Sequence, residues 1–326
     1  MPARSSASPL LGIDLGGSKI LAVVMDDQGR ILGRAKRRTK PKQGYSRVLE
    51  RLQETAKRAL EDAGFGMEDV RAVGVGLPGP VLPECGDILG AVNLGWGRKP
   101  IAHDLSQLFD GLPVAIGNDV NFGALGEATY GIAAGTASSY ALFMGTGLGG
   151  ALVINGALQV GTHGFAGELG HLPGPFDNAL CICGQYGCLE TVASKTGIAR
   201  LLQAAKSSGA SCLIDDDTLQ DLRSSHLRKA WDDGCTTVRE TIKTAAEALA
   251  WGINVASLAC DPEVVILGGG VVEELGEEML PIIQTALQKY SYRAKQYQID
   301  VRIACLDADA VAIGAVAAAQ QEVVHD

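Results

Sequence analysis

Four residues within a stretch of eighteen carry donor atoms that borderline-soft metals favour: His171, Cys181, Cys183 and Cys188, in the pattern H-x9-C-x-C-x4-C. Three thiolates and one imidazole at that spacing can close around one tetrahedral ion, and zinc takes such a set. Cys181 and Cys183 are one residue apart with Gly184 following, which suits chelation better than a bridge. Two carboxylates, Glu168 and Glu190, flank the ligands. If GELGH is helical or tightly turned, Glu168 and His171 lie on one face, so His171 can bind metal while Glu168 points into a binding cleft. A metal knot that holds two acids close together reads as a shaped substrate site.

A second kind of chemistry is written in glycine. Asp14-Leu15-Gly16-Gly17-Ser18-Lys19 ends an apolar run. Glycines let backbone N–H groups crowd around an anion, and a strand-end Asp can hold hydrated Mg2+. A plain hairpin turn explains the same residues about as well. Gly145-Thr146-Gly147-Leu148-Gly149-Gly150 fits the dinucleotide pattern letter for letter, but a strand and hairpin follow it, where that pattern must open a helix. It reads instead as a second phosphate-gripping hairpin, able with the first to clamp the β- and γ-phosphates of a nucleotide. Gly268-Gly269-Gly270 closes a strand and is either a place for adenosine or a close-packed turn. Asn118-Asp119-Val120-Asn121 follows another apolar run. Its carboxylate can accept a proton from a hydroxyl, although the tetrapeptide alone favours a helix cap. Asn93 and Trp96 of NLGW offer an amide and an apolar plate for a neutral polyol, or else a turn residue and a core ring. His103, His163, His226 and His325 read as surface or structural residues.

These residues need a scaffold. Apolar runs at 10–14, 20–25 and 31–37 predict a three-strand meander. An amphipathic helix at 46–63 follows, with Val48, Leu49, Leu52, Ala56, Ala59 and Leu60 on one face and Gly64 as its stop. A strand at 70–76 comes next. The pattern recurs with strands at 139–144, 150–154 and 157–160, the last two joined by Asn155-Gly156. Helices are predicted at 196–207, 236–259, 274–290 and 308–320, and strands at 263–267 and 300–304. Two copies of a glycine-turned meander followed by α/β structure predict two related lobes facing one another across a cleft.

Composition bounds the rest. The 326 residues suit two domains. The formal net charge of −9, with charges of both signs reading as dispersed, argues against nucleic acid. No apolar run has the length a membrane span needs. Residues 1–9 lack the apolar core of a signal peptide and read as a flexible leader. A cytoplasmic setting with reduced thiols is expected, with Cys85, Cys212, Cys235, Cys260 and Cys305 scattered and inert.

IDLGGSK, GLPGPV, NLGW, NDVN, GTGLGG, GELGH, CICGQYGCLE and ILGGGV occur in the order seen in the ROK family of bacterial sugar kinases, and the chain resembles ROK glucokinases most closely, from about residue 10 to 318. The resemblance implies an α/β, two-domain actin-like ATPase (ribonuclease H-like) fold with an interdomain cleft. It would comprise a small domain at 10–117 plus 308–326 and a large one at 118–307, the latter carrying the zinc-binding segment 171–188. It implies Asp119 as catalytic base and Gly79, Asn93, Asn118, Glu168, His171 and Glu190 as sugar ligands. Asp14, Gly16, Gly17, Ser18 and Lys19, then Gly145, Thr146 and Gly147, would form the phosphate turns, with Gly269 near the adenosine. Structural zinc would sit on His171, Cys181, Cys183 and Cys188. The expected reaction is ATP- and Mg2+-dependent phosphorylation of glucose on its 6-hydroxyl, by a cytoplasmic homodimer or homotetramer with no nucleic acid or membrane partner. N-acetylmannosamine, N-acetylglucosamine, mannose or fructose are alternative substrates, polyphosphate is an open alternative donor, and a non-enzymatic sugar sensor is a further reading. Ser18 stands where the family has Thr, which keeps the hydroxyl, and Phe165 precedes GELGH where it could bias a sugar pocket. The first strand begins too early for the DNA-binding segment of the family's regulators, which favours an enzyme.

Overall fold

The computed structural model describes residues 8–325. The expected leader therefore lies outside the described residues apart from Ser8 and Pro9, and the Pro9 carbonyl accepts a hydrogen bond from Arg71 N at 3.0 Å. In chain order the elements begin with β1 (Leu10–Leu15), β2 (Lys19–Met25), β3 (Ile31–Arg38), α1 (Tyr45–Ala63), β4 (Ala72–Leu77), α2 (Ile101–Leu108), β5 (Val114–Asn118) and α3 (Asp119–Thr129). They continue with β6 (Ser138–Met144), β7 (Leu148–Ile154), β8 (Ala157–Leu158), α4 (Lys195–Ser207), α5 (Asp216–Gln220), α6 (Ser224–Asp232) and α7 (Thr236–Cys260). The chain closes with β9 (Val264–Gly268), α8 (Gly270–Tyr290), α9 (Tyr292–Gln296), β10 (Val301–Ile303) and α10 (Ala310–His325).

The chain divides into two compact units. The first takes the residues up to Gly135, then Val153–Ala166 and the segment from Ala308 on. Its sheet has the order β3-β2-β1-β4-β5. β1, β2 and β3 pair antiparallel, while β1, β4 and β5 run parallel. α1 buries the whole expected face, Val48 through Leu60, and ends at Gly64 in the left-handed conformation a C-terminal glycine favours. Each large aliphatic side chain fully buried there contributes about 2 kcal/mol. α10 covers the opposite sheet face at unusually short range. A Cβ on Gly12 would lie 2.0 Å from Ala312 O, and one on Gly74 1.9 Å from Ala315 O. The same helix crosses α3 where a Cβ on Gly314 would meet Phe122 O at 1.6 Å. That crossing keeps α3 with the first sheet, and the first unit runs on through Gly135.

The second unit comprises Thr136–Leu152 and Gly167–Asp307. β10, β9, β6 and β7 lie side by side, with β10, β9 and β6 parallel. β9 is buried along its whole length, as an apolar run covered on both faces should be. α4, α6, α7 and α8 supply the rest of this core, including Leu202, Leu227, Leu249, Ile253, Leu275 and Ile283. β7 continues into β8, whose segment clusters with the first unit, through Asn155-Gly156. Both turn residues have positive φ (50° and 75°), as the predicted hairpin requires. Cys212 and Cys235 lie near enough to influence each other's ionisation, so the reading of these thiols as scattered does not hold for that pair.

Candidate active site

In the first unit the parallel register sets Asp14 beside Gly76 and Gly76 beside Gly117. At about 4.8 Å per strand step, Asp14 and Gly117 stand roughly 10 Å apart in one row. Asp119, two residues on, opens α3 at the same carboxyl edge of the sheet, the edge at which open α/β sheets bind ligands. Asp14 is only 7% exposed. Burial raises its pKa to about 6, against the opposing pull of Lys19, whose Nζ lies 3.9 Å away. A buried carboxylate so incompletely neutralised suits an added hydrated cation.

The first glycine turn is a tight hairpin in which Gly16 N donates to Lys19 O at 2.9 Å. Thr39 braces it from β3's end: its N donates to Ser18 O at 3.0 Å and its Oγ1 to Gly16 O at 2.6 Å. Gly17 has no room for a side chain, because a Cβ would stand 2.8 Å from Asn93 Cβ. The exposed Asn93 is thereby set directly against the turn. Gly79 has φ 152° and a Cβ there would meet Gly90 O at 2.1 Å. Asn118, rather than Asp119, is the helix cap: its Oδ1 accepts from Val120 N at 2.9 Å and Asn121 N at 3.3 Å. Its Nδ2 donates to Gly79 O at 3.3 Å, so most of this amide's capacity is used inside the protein. Asp119 Oδ1 accepts from Val120 N at 2.9 Å. A hollow of about 150 Å³ beside Asn118 is walled by Val81, Pro83, Ile116, Asn121 and Val160. Trp96 is no open plate. It is 7% exposed and packs edge-on against Tyr45 with ring centroids 4.7 Å apart.

In the second unit residues 169–171 form a 3-10 turn capped by Glu168. Positions i and i+3 eclipse in that geometry, so Glu168 and His171 do share a side. Burial, first of all, raises the Glu168 pKa. Nearby His171 opposes the shift and Glu190 adds to it. The donor atoms of His171, Cys181, Cys183 and Cys188 all lie within 4.8 Å of one another. Cys183 Sγ is 3.7 Å from Cys188 Sγ, and Cys181 Sγ is 3.5 Å from His171 Nδ1. Tetrahedral zinc with ordinary bond lengths has S–S edges of about 3.8 Å and S–N edges of about 3.6 Å, so the set fits that ion. Cys181 and Cys188 are buried, and burial pushes the Cys181 thiol up to about 12. A divalent ion supplies the charge that thiolates in such a place lack.

Glu190 joins this cluster to the second glycine turn. Its Oε2 accepts from Leu148 N at 2.9 Å and its Oε1 from Cys181 Sγ at 3.4 Å. A Cβ on Gly147 would run into the same carboxylate at 2.2 Å. The turn's carbonyls are held by the start of α4: Lys195 N donates to Gly145 O at 3.0 Å and Thr196 Oγ1 to Thr146 O at 2.8 Å. Among the described residues the N–H groups of Thr146 and Gly147 donate to no protein acceptor. Gly269 has φ +85° and a Cβ there would stand 2.8 Å from the Met144 backbone, which meets the close-packing reading of that triplet. Sequence reasoning passed over Thr39, Lys195 and Thr196. Ser194 at the N-cap of α4 was the one signal for the latter pair. His103 and His163 are exposed, and His226 accepts from Arg223 N at a helix start. The side chain of His325 lies outside the described residues.

The ROK family model matches residues 10–322. A glucokinase of Halalkalibacterium halodurans is 31% identical over 307 residues, 93% of this chain and 92% of that protein. A xylose repressor of Caldicellulosiruptor bescii is 30% identical, spanning 97% of this chain and 79% of that protein. The crystal structure of a ROK family glucokinase from Streptomyces griseus in complex with glucose and AMPPNP is similar with TM-score 0.81 and 31% identity, over 96% of this chain and 99% of that one. The two mixed sheets and their helices thus define an α/β fold of the actin-like, ribonuclease H-like class. Within that class the chain belongs to the ROK family.

Proposed function

We propose that this protein is a hexose kinase that transfers the γ-phosphoryl group of ATP to the 6-hydroxyl of glucose. The observation that carries the reading is the pair of carboxylates at one edge of one sheet, Asp14 ending β1 and Asp119 opening α3 beyond β5. Asp119 orients the sugar hydroxyl and accepts its proton as the oxygen attacks phosphorus. Because phosphoryl transfer is loose, positioning and charge screening do most of the catalysis and an ordinary carboxylate suffices. The N–H groups of the turns at 16–19 and 145–147 receive the phosphates, Lys19 adds a positive charge, and Gly269 lies near the adenosine. Mg2+, when bound through water near Asp14, supplies charge screening for the phosphates.

Asn93, Glu168, His171 and Glu190 hydrogen-bond the sugar, and Gly79 and Asn118 shape its surroundings. A site of polar groups held in fixed positions discriminates strongly against analogues that lack a matching hydroxyl. Zinc on His171, Cys181, Cys183 and Cys188 has four protein ligands and so no open position for a reacting water, which makes its role structural. The protein works in the cytoplasm as a dimer or tetramer. The test is ADP release across a panel of hexoses and N-acetylhexosamines, with Asp119→Asn alongside. Glucose should be the best substrate, and the variant should keep sugar binding while losing turnover by roughly 10²-fold or more. Variant turnover within a few-fold of the parent removes Asp119 from the base role, and sugar binding without turnover in the parent points to a sensor.

A further inference from the structure

Tyr140 of β6 is 3% exposed. A buried phenol needs a partner for its hydroxyl, and this one donates to Gly167 O at 2.7 Å. A core tyrosine could satisfy itself on any carbonyl within reach. Gly167 O, however, belongs to the peptide unit that leads into Glu168, the carboxylate that hydrogen-bonds the sugar in the proposed reaction. A peptide unit is planar, so the direction of this carbonyl also fixes the Glu168 N–H and the arc open to the Glu168 side chain.

Close packing sets where this segment lies. A Cβ on Gly167 would stand 2.7 Å from Gly150 O, and one on Gly170 1.9 Å from Leu148 O. Gly167 has φ +97°, and a glycine pays no Cβ penalty when the adjoining peptide plane turns. Packing therefore places the backbone without fixing how its carbonyls point. Two hydrogen bonds do that. Leu169 N donates to Gly167 O at 2.6 Å, closing an inverse γ-turn about Glu168, whose φ and ψ are −70° and 49°. That bond lies within the turn and moves with it. The Tyr140 hydroxyl comes from β6 and ties the turn to the sheet. A Cβ on Gly150 would stand 2.5 Å from Gly167 O and 3.1 Å from Tyr140 Oη, so a side chain at 150 would crowd both ends of the bond. Burial raises the Tyr140 pKa, and the charges of Cys260 and Glu168 add to the shift, so the phenol stays a donor through neutral pH.

We infer that Tyr140 is a positioning residue for the sugar: through Gly167 O it holds the turn that aims Glu168 at the hydroxyls it binds. This rests on the hexose kinase reading. Being buried, Tyr140 acts on the sugar only through Glu168. Glu168 engages the sugar in the ground state and the transition state alike, so misaiming it raises KM and leaves kcat in place.

Tyr140→Phe removes the hydroxyl and keeps the ring and its packing. The full chain is assayed with Mg-ATP and glucose, or with the hexose of the panel that the parent turns over best. The variant should raise the sugar KM about tenfold, as for the loss of roughly one hydrogen bond to a charged group. Both kcat and the KM for ATP should stay within about twofold, because the second glycine turn is held by Lys195 and Thr196 instead. A purely structural role would lower the melting temperature without splitting the two KM values. In a Glu168→Ala background the same substitution should change kcat/KM for the sugar by less than about twofold, since no carboxylate is left to aim. An unchanged sugar KM overturns the inference and leaves the kinase reading intact. An equal rise for sugar and ATP, or a tenfold effect that persists in Glu168→Ala, also overturns it. If the parent forms no product from any hexose, the kinase reading fails. Calorimetric titration with glucose then decides Tyr140 alone: binding in the parent that weakens about tenfold in Tyr140→Phe upholds the positioning role, and equal binding or none overturns it.

Discussion

Replacing Asp14 with Asn should stabilise the ligand-free protein and do so in a pH-dependent way. Burial holds this carboxyl at about 6 in the fold, against 3.8 for an unperturbed Asp. At about 1.36 kcal/mol per pKa unit, ionising it in the native state costs about 3 kcal/mol more than in the unfolded chain. The folded pKa is the higher one, so the native state binds the proton more tightly. Between pH 4 and 6 the parent therefore loses stability as pH rises, and above about 6 the loss is complete. Asn never ionises. The unfolding free energy of Asp14→Asn minus that of the parent should thus be flat below about pH 4, climb through pH 4 to 6, and be about 3 kcal/mol larger at pH 7. The intrinsic cost of burying an amide shifts this curve vertically without bending it. Urea denaturation from pH 3.5 to 8, without nucleotide or Mg2+ and followed by the fluorescence of Trp96, the one tryptophan of the first unit, measures the difference. A difference that stays constant within about 0.5 kcal/mol across that range, or falls with pH, refutes the account. The same variant should lose most kinase turnover, because a charge that is costly to the empty fold is the one that the phosphates and their cation require.

Gly314→Ala should prevent stable folding of the first unit or cost upward of about 3 kcal/mol, since its Cβ would overlap the Phe122 carbonyl of α3 rather than a side chain that can move. Circular dichroism during thermal melting tests this, and a melting temperature within a few degrees of the parent would show that the helices can part. Cys183→Ser should lower both the melting temperature and sugar affinity, because Glu190 shares a contact with Cys181 of the same cluster. Unchanged sugar affinity with a lowered melting temperature would uncouple the metal segment from binding.

The sequence made the periodic elements legible and left the packed ones hidden. α1 announces itself by a clean apolar face and a glycine stop. α3 gives no such signal, because Phe122 through Glu127 are all buried and the helix has no polar side to alternate with. α8 starts a full turn before the predicted 274, since Gly269 with its positive φ turns the chain directly into the helix. The gathering of His171, Cys181, Cys183 and Cys188 into one cluster was legible because their spacing is local. The capping role of Asn118 was half legible: NDVN signals a cap, but which of two neighbouring residues takes it depends on where β5 ends. The burial of Trp96 was not legible, because it depends on Tyr45, some fifty residues earlier in the chain.

Glu190 shows why the thiol segment and the second glycine turn belong together. A carboxylate offers about four acceptor positions. Leu148 N donates to Oε2, so the remaining ones are presented by a group already held from one side. A ligand hydroxyl that donates to it meets little further ordering cost. The charge around it selects the ligand as well. Three thiolates outweigh one divalent ion, and Glu168 and Glu190 add two carboxylates, so the neighbourhood is net negative even with metal bound. An anionic group set on the free lobes of the Glu190 oxygens would be repelled, and a cation would compete for the thiolates. A neutral molecule rich in hydroxyl donors satisfies the acceptors without adding charge, which is the electrostatic case for a sugar. Removing the metal would leave the same acids facing thiols that burial drives toward the protonated form. The contact from Cys181 to Glu190 would then compete with the ligand hydroxyls for the same oxygen.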